Sequence, residues 1–343
     1  MTERKKRILQ AVTDDYISTA EPVGSRTIAR RYNLGISPAT IRNEMADLEE
    51  NGYLEQPHAS AGRIPSDKGY RFYVDMIMMT KDLSPREKTG IKRELEKRRR
   101  EIEGLMQYTA RIMADLTQYT ALIFCPRLKN NIVKHLELIP LGEADALVVL
   151  VMSPGFVETR VVDLPTPVSK EDLAQVGRYL NERLKGLTIG SIKTSLLREM
   201  QRELKRYSNI LEGAMELLVR SLEADYRERV YLEGTVNLLE HPEFKEIEKA
   251  KPVLNILSEG GTLFEALVDI LNRGGVKAVI GRENPQEEMK RCSLVGASYE
   301  VHGRIAGGLG LLGPTRMDYS RAMALVGFMA ECLSEILTEM DSR

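Results

Sequence analysis

Tryptophan is absent from the 343 residues, aromatic side chains make up 6%, and there are only three cysteines and four histidines. Cys125, Cys292 and Cys332 show no C-x-x-C spacing, which argues against a disulfide scaffold or zinc ribbon and fits a reducing compartment. His135, His241 and His302 are scattered, none three or four positions from another His or Cys, so no metal or cofactor is expected. Neither a nucleophile elbow, an HExxH pair nor a purposeful carboxylate pair occurs, and the chain does not read as an enzyme. No stretch approaches 18 uncharged apolar residues, and the start, MTERKKRILQ, lacks the apolar run of a signal peptide. A cytoplasmic protein without a membrane span is expected. The net charge is only −1, so any basic surface must be local. What is present is ordinary for a soluble protein, 43% hydrophobic and 29% charged, at a length that suggests two or three domains.

Residues 4–19 carry Ile8, Leu9, Val12, Tyr16 and Ile17 at helical spacing, and Ser25 is a suitable cap for a second, short helix. SPATIRNEMADLEENGYL, residues 37–54, then predicts a helix capped by Ser37, with Pro38 in its first turn and a stop at Asn51-Gly52. GYLEQP reads as a strand, HASAGR as a loop, and Ser66 as the cap of a further helix. Residues 82–118 form one long, highly charged helical pattern. ALIFCP, IVKHLELIPL, ALVVLVM and GFVETRVVDLP are strand-like, residues 169–230 are helical, and strands resume at 276–281 and 292–301 before a closing helix. One α+β domain interrupted by a helical insertion gives this order; so do two independent domains.

With Ile41 facing inward, Met45 and Leu48 share its side of the helix, while Ala39 and Asn43 lie nearly opposite, flanked by Thr40 and Arg42. A slim edge bearing Asn and Arg suits a DNA major groove, since Asn can address adenine and Arg guanine. The acids Glu44, Asp47, Glu49 and Glu50 come later, where a recognition helix leaves the groove. Arg26, Arg30 and Arg31 accumulate just before this helix. After it, His58 and Arg63 tip a small-residue loop suited to a wing, and Lys5 and Lys6 can add phosphate contacts. A protein-interaction module with a solvated arginine face fits the same pattern. Elsewhere, GLGLLG (308–313) matches G-x-G-x-x-G literally, but Pro314 follows at once and the next helix begins only near Asp318. Glycines in a close-packed strand or turn account for it better than a nucleotide. Leu196, Met200, Leu204, Ile210, Met215 and Leu218 make apolar stripes that serve either packing within the chain or a subunit interface.

SPATIRNEMADLEENGYL, QPHASAGRIPSDKGYRFYVD and GPTRMDYSRAM together resemble the HrcA family of heat-inducible transcription repressors, and the likeness runs the length of the chain. It implies an α+β multidomain protein: a winged helix-turn-helix head at 1–78, a helical connector at 79–118, a GAF-like α/β domain at 119–167 plus 251–343, and an inserted, mainly helical dimerisation domain at 168–250. It also implies a homodimer on double-stranded operator DNA, an inverted repeat ahead of the groE and dnaK operons, with activity maintained by the GroE chaperonin. The six residues from Leu196 to Leu218 are then expected at the dimer interface. The alternative is a metabolite-gated regulator that senses a small ligand through its GAF-like domain.

Overall fold

The computed structural model describes residues 1–79, 81–99, 101–124, 132–142, 145–153, 155–163, 169–192, 196, 199–200, 230–259, 267 and 274–342. It is a mixed helix-and-sheet protein whose first 78 residues form a compact head. Helices α1 (Glu3–Thr19), α2 (Ser25–Arg31) and α3 (Pro38–Glu50) precede two short antiparallel strands, β1 (Leu54–Glu55) and β2 (Ile64–Pro65). Their shared core is Ile8, Leu9, Val12, Val23, Ile28, Ile41, Met45, Leu48 and Leu54. The apolar period of each helix buries one stripe and leaves the other in water. Ser66 caps α4 (Asp67–Phe72) by accepting a hydrogen bond from the Gly69 amide.

The connector differs from the sequence expectation. Instead of one helix over 82–118, the chain forms α5 (Pro85–Glu96) and α6 (Ile102–Thr117). A single helix of that length would extend about 55 Å and carry one of its ends off the core. Leu83, Ile91 and Leu95 before the break, and Ile102, Leu105 and Met106 after it, all join one hydrophobic cluster. The chain turns in the cationic run that begins at Lys97, where no apolar residue has to be buried.

The remaining strands form two sheets. Strands β4 (Val133–Pro140), β5 (Asp145–Met152) and β6 (Phe156–Asp163) form an antiparallel sheet of their own, with α7 (Lys170–Leu184) against it. Asn181 of α7 ties down the edge of β4, bonding both the amide and the carbonyl of Leu136. The five-stranded sheet takes β3 (Thr120–Phe124) and β7 (Val230–Glu233) together with β8 (Lys277–Ile280), β9 (Cys292–Val301) and β10 (Arg304–Pro314), in the order β7-β3-β10-β9-β8. The expected division at 167/168 and 250/251 therefore does not follow the strand pairing: β4–β6 stand outside the larger sheet and β7 belongs to it. Alternation shows that a strand is buried but not which strand it pairs with. Phe124 lies directly opposite Val230, so the chain leaves and re-enters the larger sheet at one place.

Helices cover both faces of that sheet. Ala121 and Ile123 point toward α6 and the closing helix α9 (Tyr319–Asp341). Leu122 and Phe124 point toward α8 (Ile247–Glu259), which contributes Val253, Ile256 and Leu257. Burial on both faces explains why β3 is apolar without alternation. No helix among the described residues is long and apolar enough to cross a membrane.

Candidate nucleic-acid interface

Helix α3 is built as a presented edge. Ser37 adopts an extended conformation and its Oγ accepts from the Thr40 amide at 3.1 Å, with Pro38 in the first turn. Ile41, Met45 and Leu48 are fully buried against α1 and α2, which fixes the helix rotation. Ala39, Arg42 and Asn43 consequently face water. The stop uses Gly52 at φ +75°, a conformation open to glycine at little cost.

The twelve residues singled out in the sequence fall into two groups. Arg26, Arg30, Arg42, Asn43 and His58 are exposed, and their side chains make no hydrogen bond or ion pair to any described residue; Ala39 is exposed beside them. The other six are already engaged. Ser37 and Thr40 bond each other, with their oxygens 3.0 Å apart. Arg31 pairs at 2.6 Å with the buried Asp15 of α1. Arg63 pairs at 2.8 Å with Glu49, Lys5 at 2.9 Å with Asp47, and Lys6 at 2.7 Å with Glu3. The hydrogen bond Lys5 donates to Asp47 holds its ammonium above its ordinary range.

These pairs give the acidic second half of α3 a role that its sequence position does not reveal. Glu44 meets Arg4 at 3.3 Å, Asp47 meets Lys5, and Glu49 meets Arg63. Three carboxylates that would repel phosphate are neutralised by α1 and by the strand leaving the loop. Each such surface pair contributes little stability on its own. Together they tie α3 to its neighbours on both sides. The missing signal is distance along the chain, since Arg4 and Glu44 are linked only by the fold.

The 56–63 loop is internally braced: Gln56 Nε2 donates to the carbonyls of Ala59 and Ala61, and Val23 bridges to Arg63. A Cβ on Gly62 would stand 2.5 Å from the Val23 carbonyl carbon, so glycine is required for that approach. His58 is left at the exposed tip.

Outside the head, the glycines of GLGLLG lie within the central strand β10 rather than at a strand-to-helix turn. No group of three or more His, Cys, Asp or Glu suited to a metal occurs among the described residues. Of the residues expected at a dimer interface, Met200 is fully buried and Leu196 partly buried in the chain's own core. Leu204, Ile210, Met215 and Leu218 lie outside the described residues.

A family model described as the HrcA protein C terminal domain matches residues 103–323. Relatives named heat-inducible transcription repressor HrcA include one from Desulforudis audaxviator, 46% identical over 339 residues and covering 98% of each chain. Others come from Pelotomaculum thermopropionicum (44% over 337 residues, 98% of this chain and 97% of the relative) and Moorella thermoacetica (44% over 341 residues, 99% of each). A crystal structure of a hypothetical protein, 24% identical, shares the fold with a TM-score of 0.66 over 99% of each chain. With near-complete coverage at these identities, the chain belongs to the HrcA family of heat-inducible transcription repressors.

Proposed function

We propose that the protein represses transcription by binding, as a cytoplasmic homodimer, an inverted-repeat operator ahead of the groE and dnaK operons. In this reading residues 1–78 are a winged helix-turn-helix, with α3 in the major groove and the 56–63 loop as the wing. The five-stranded sheet with its covering helices is the GAF-like domain. The observation that carries the proposal is the exposed, unengaged pair Arg42 and Asn43 on the first turns of α3, beside the unengaged Arg26 and Arg30. Arg26 and Arg30 supply phosphate contacts, and Arg42 and Asn43 read bases. Lys5, Arg31 and Arg63 act first as struts that hold α3. Family membership favours repression over metabolite gating.

Arg42→Ala or Asn43→Ala is expected to cost about 1–3 kcal/mol on operator DNA and little on random DNA, whereas Arg30→Ala weakens both alike. Anisotropy titrations at fixed salt read the difference. Equal losses on both DNAs for Asn43→Ala would remove it from base reading.

The same proposal assigns the GroE chaperonin the maintenance of the active state. In support, β3 must pair with β10, Phe124 opposite Gly308, across most of the chain, and such long-range closure is slow and leaves apolar surface open. After dilution from denaturant, chaperonin is expected to raise the fraction titratable by operator DNA severalfold. Full recovery without it, at elevated temperature too, would leave a bound effector as the better account.

A further inference from the structure

The head is fastened to the rest of the molecule at two separate points, and the first residues after it are fastened at a third. At the first, Arg71 of α4 donates to both carboxylate oxygens of Glu283, at 2.8 and 2.5 Å, and to the Ala278 carbonyl at 2.6 Å. Glu283 is held in turn by the Ile280 amide at 2.9 Å. One turn earlier in α4, Asp67 accepts from the Arg282 amide at 2.9 Å. At the second point, Arg316 donates at 3.2 Å to the Ile17 carbonyl near the end of α1 and at 2.5 Å to Glu243. At the third, Ser320 at the start of α9 donates to the Met79 carbonyl and accepts from the Lys81 amide, at 3.0 and 2.8 Å. Tyr70 of α4 is fully buried, its ring 5.9 Å from that of Tyr319 in α9.

A head on a loose tether would show none of this. Two-pronged guanidinium–carboxylate pairs fix orientation as well as distance, and here α4 and the end of α1 are both held, with the chain just after the head held as well. Meanwhile α3 presents Arg42 and Asn43 on the exposed side of the head, with none of its residues among the anchors. We infer that this clamp, with Arg71 as its principal positioning residue, sets the separation and relative orientation of the two reading helices and thereby selects the length of the operator's central spacer. The inference rests on the dimeric, inverted-repeat reading above. DNA turns once in about 10–10.5 base pairs, so two rigidly held heads match one spacer and miss one that is half a turn longer.

The test uses the full-length protein on duplexes with identical half-sites and spacers changed one base pair at a time. The unaltered protein is expected to favour one spacer at least about tenfold over one lengthened by about five base pairs. In Arg71→Ala that preference falls below about threefold, while binding to a single half-site is unchanged, because the heads then adjust independently. Gly281→Ala reaches the clamp by another route. Its φ is +52° and a Cβ there would stand 2.3 Å from Asp67 Oδ1, so it forces the first attachment apart without removing a charge. Asp67→Asn, the mildest change, is expected to shift the preference in the same direction and serves if either of the others misfolds by circular dichroism. Variants that fold and keep the full spacer preference overturn the clamp. Failure of the unaltered protein to prefer its half-site over scrambled DNA would instead overturn the DNA-reading proposal.

Discussion

Gly307→Ala is expected to cost at least about 3 kcal/mol, a large share of the 5–15 kcal/mol that holds a typical domain together. Gly307 lies in the central strand β10, beside a register shift between Ile305 and Gly307. An added Cβ would stand 2.2 Å from the Tyr299 hydroxyl oxygen and 2.3 Å from the Phe124 carbonyl oxygen. Those two atoms bond each other at 2.8 Å, so the methyl group would occupy a buried hydrogen bond. Relief requires either expelling the Tyr299 ring or separating β10 from β3, and both open the core. Gly90→Ala is the contrast. It lies within α5 with nothing within 4 Å of its Cβ, and is expected to gain about 0.5–1 kcal/mol from helix propensity. Denaturant midpoints for the two variants should move in opposite directions. A loss under about 1 kcal/mol for Gly307→Ala would mean that the sheet yields more readily than its contacts imply.

The same strand shows where the sequence was hard to read. Its glycines lower strand propensity, so β10 was read only as glycines in a close-packed strand or turn, without bounds or partners. It nonetheless lies at the centre of the larger sheet, and the glycines leave room for Tyr299, for Tyr119 against Gly313 and for the Val295 carbonyl against Gly310. Helix α3, by contrast, was legible residue by residue: Ser37, Pro38 and Gly52 mark its ends, and Ile41, Met45 and Leu48 set its inner face by local rules alone. The exposed set Ala39, Arg42 and Asn43 follows from that rotation. Information was lost wherever a partner lies far along the chain. Lys5 and Arg63 looked free because Asp47 and Glu49 are brought to them only by folding. Strand β7, four residues long, gave no local signal strong enough to separate it from the preceding helical pattern. The pairing of β4–β6 with one another was hidden for the same reason, since period-two alternation is identical whichever sheet a strand joins.

A fragment of residues 1–78 is expected to fold alone and to bind a single half-site about 10²–10⁴-fold more weakly than the full chain binds the inverted repeat. Folding is expected because the head has its own core, from Ile8 to Leu54, which needs nothing from the rest of the chain. The fragment does expose Tyr70, at a cost of about 1.5–3 kcal/mol in lost burial, so its stability falls without collapsing. The affinity gap has a different origin. In a dimer, binding by one head holds the second near its half-site at an effective concentration in the millimolar range, and the fragment lacks that gain. Its preference for the half-site over scrambled DNA should survive, because Arg42 and Asn43 remain on the same helix. Deleting residues 125–229 probes the origin of the gain from the other side. Phe124 and Val230 are antiparallel neighbours, so a two-residue turn can rejoin the larger sheet. That variant keeps the head and its clamp, and is expected to sediment as a monomer with the fragment's affinity. Titrations at one salt concentration, with sedimentation of each protein, decide the matter. If the fragment matches the full chain within about threefold, the second head contributes nothing and the dimeric reading falls. If instead the deletion variant stays dimeric, the interface lies in the connector or the larger sheet, and the region between Phe124 and Val230 serves some other purpose.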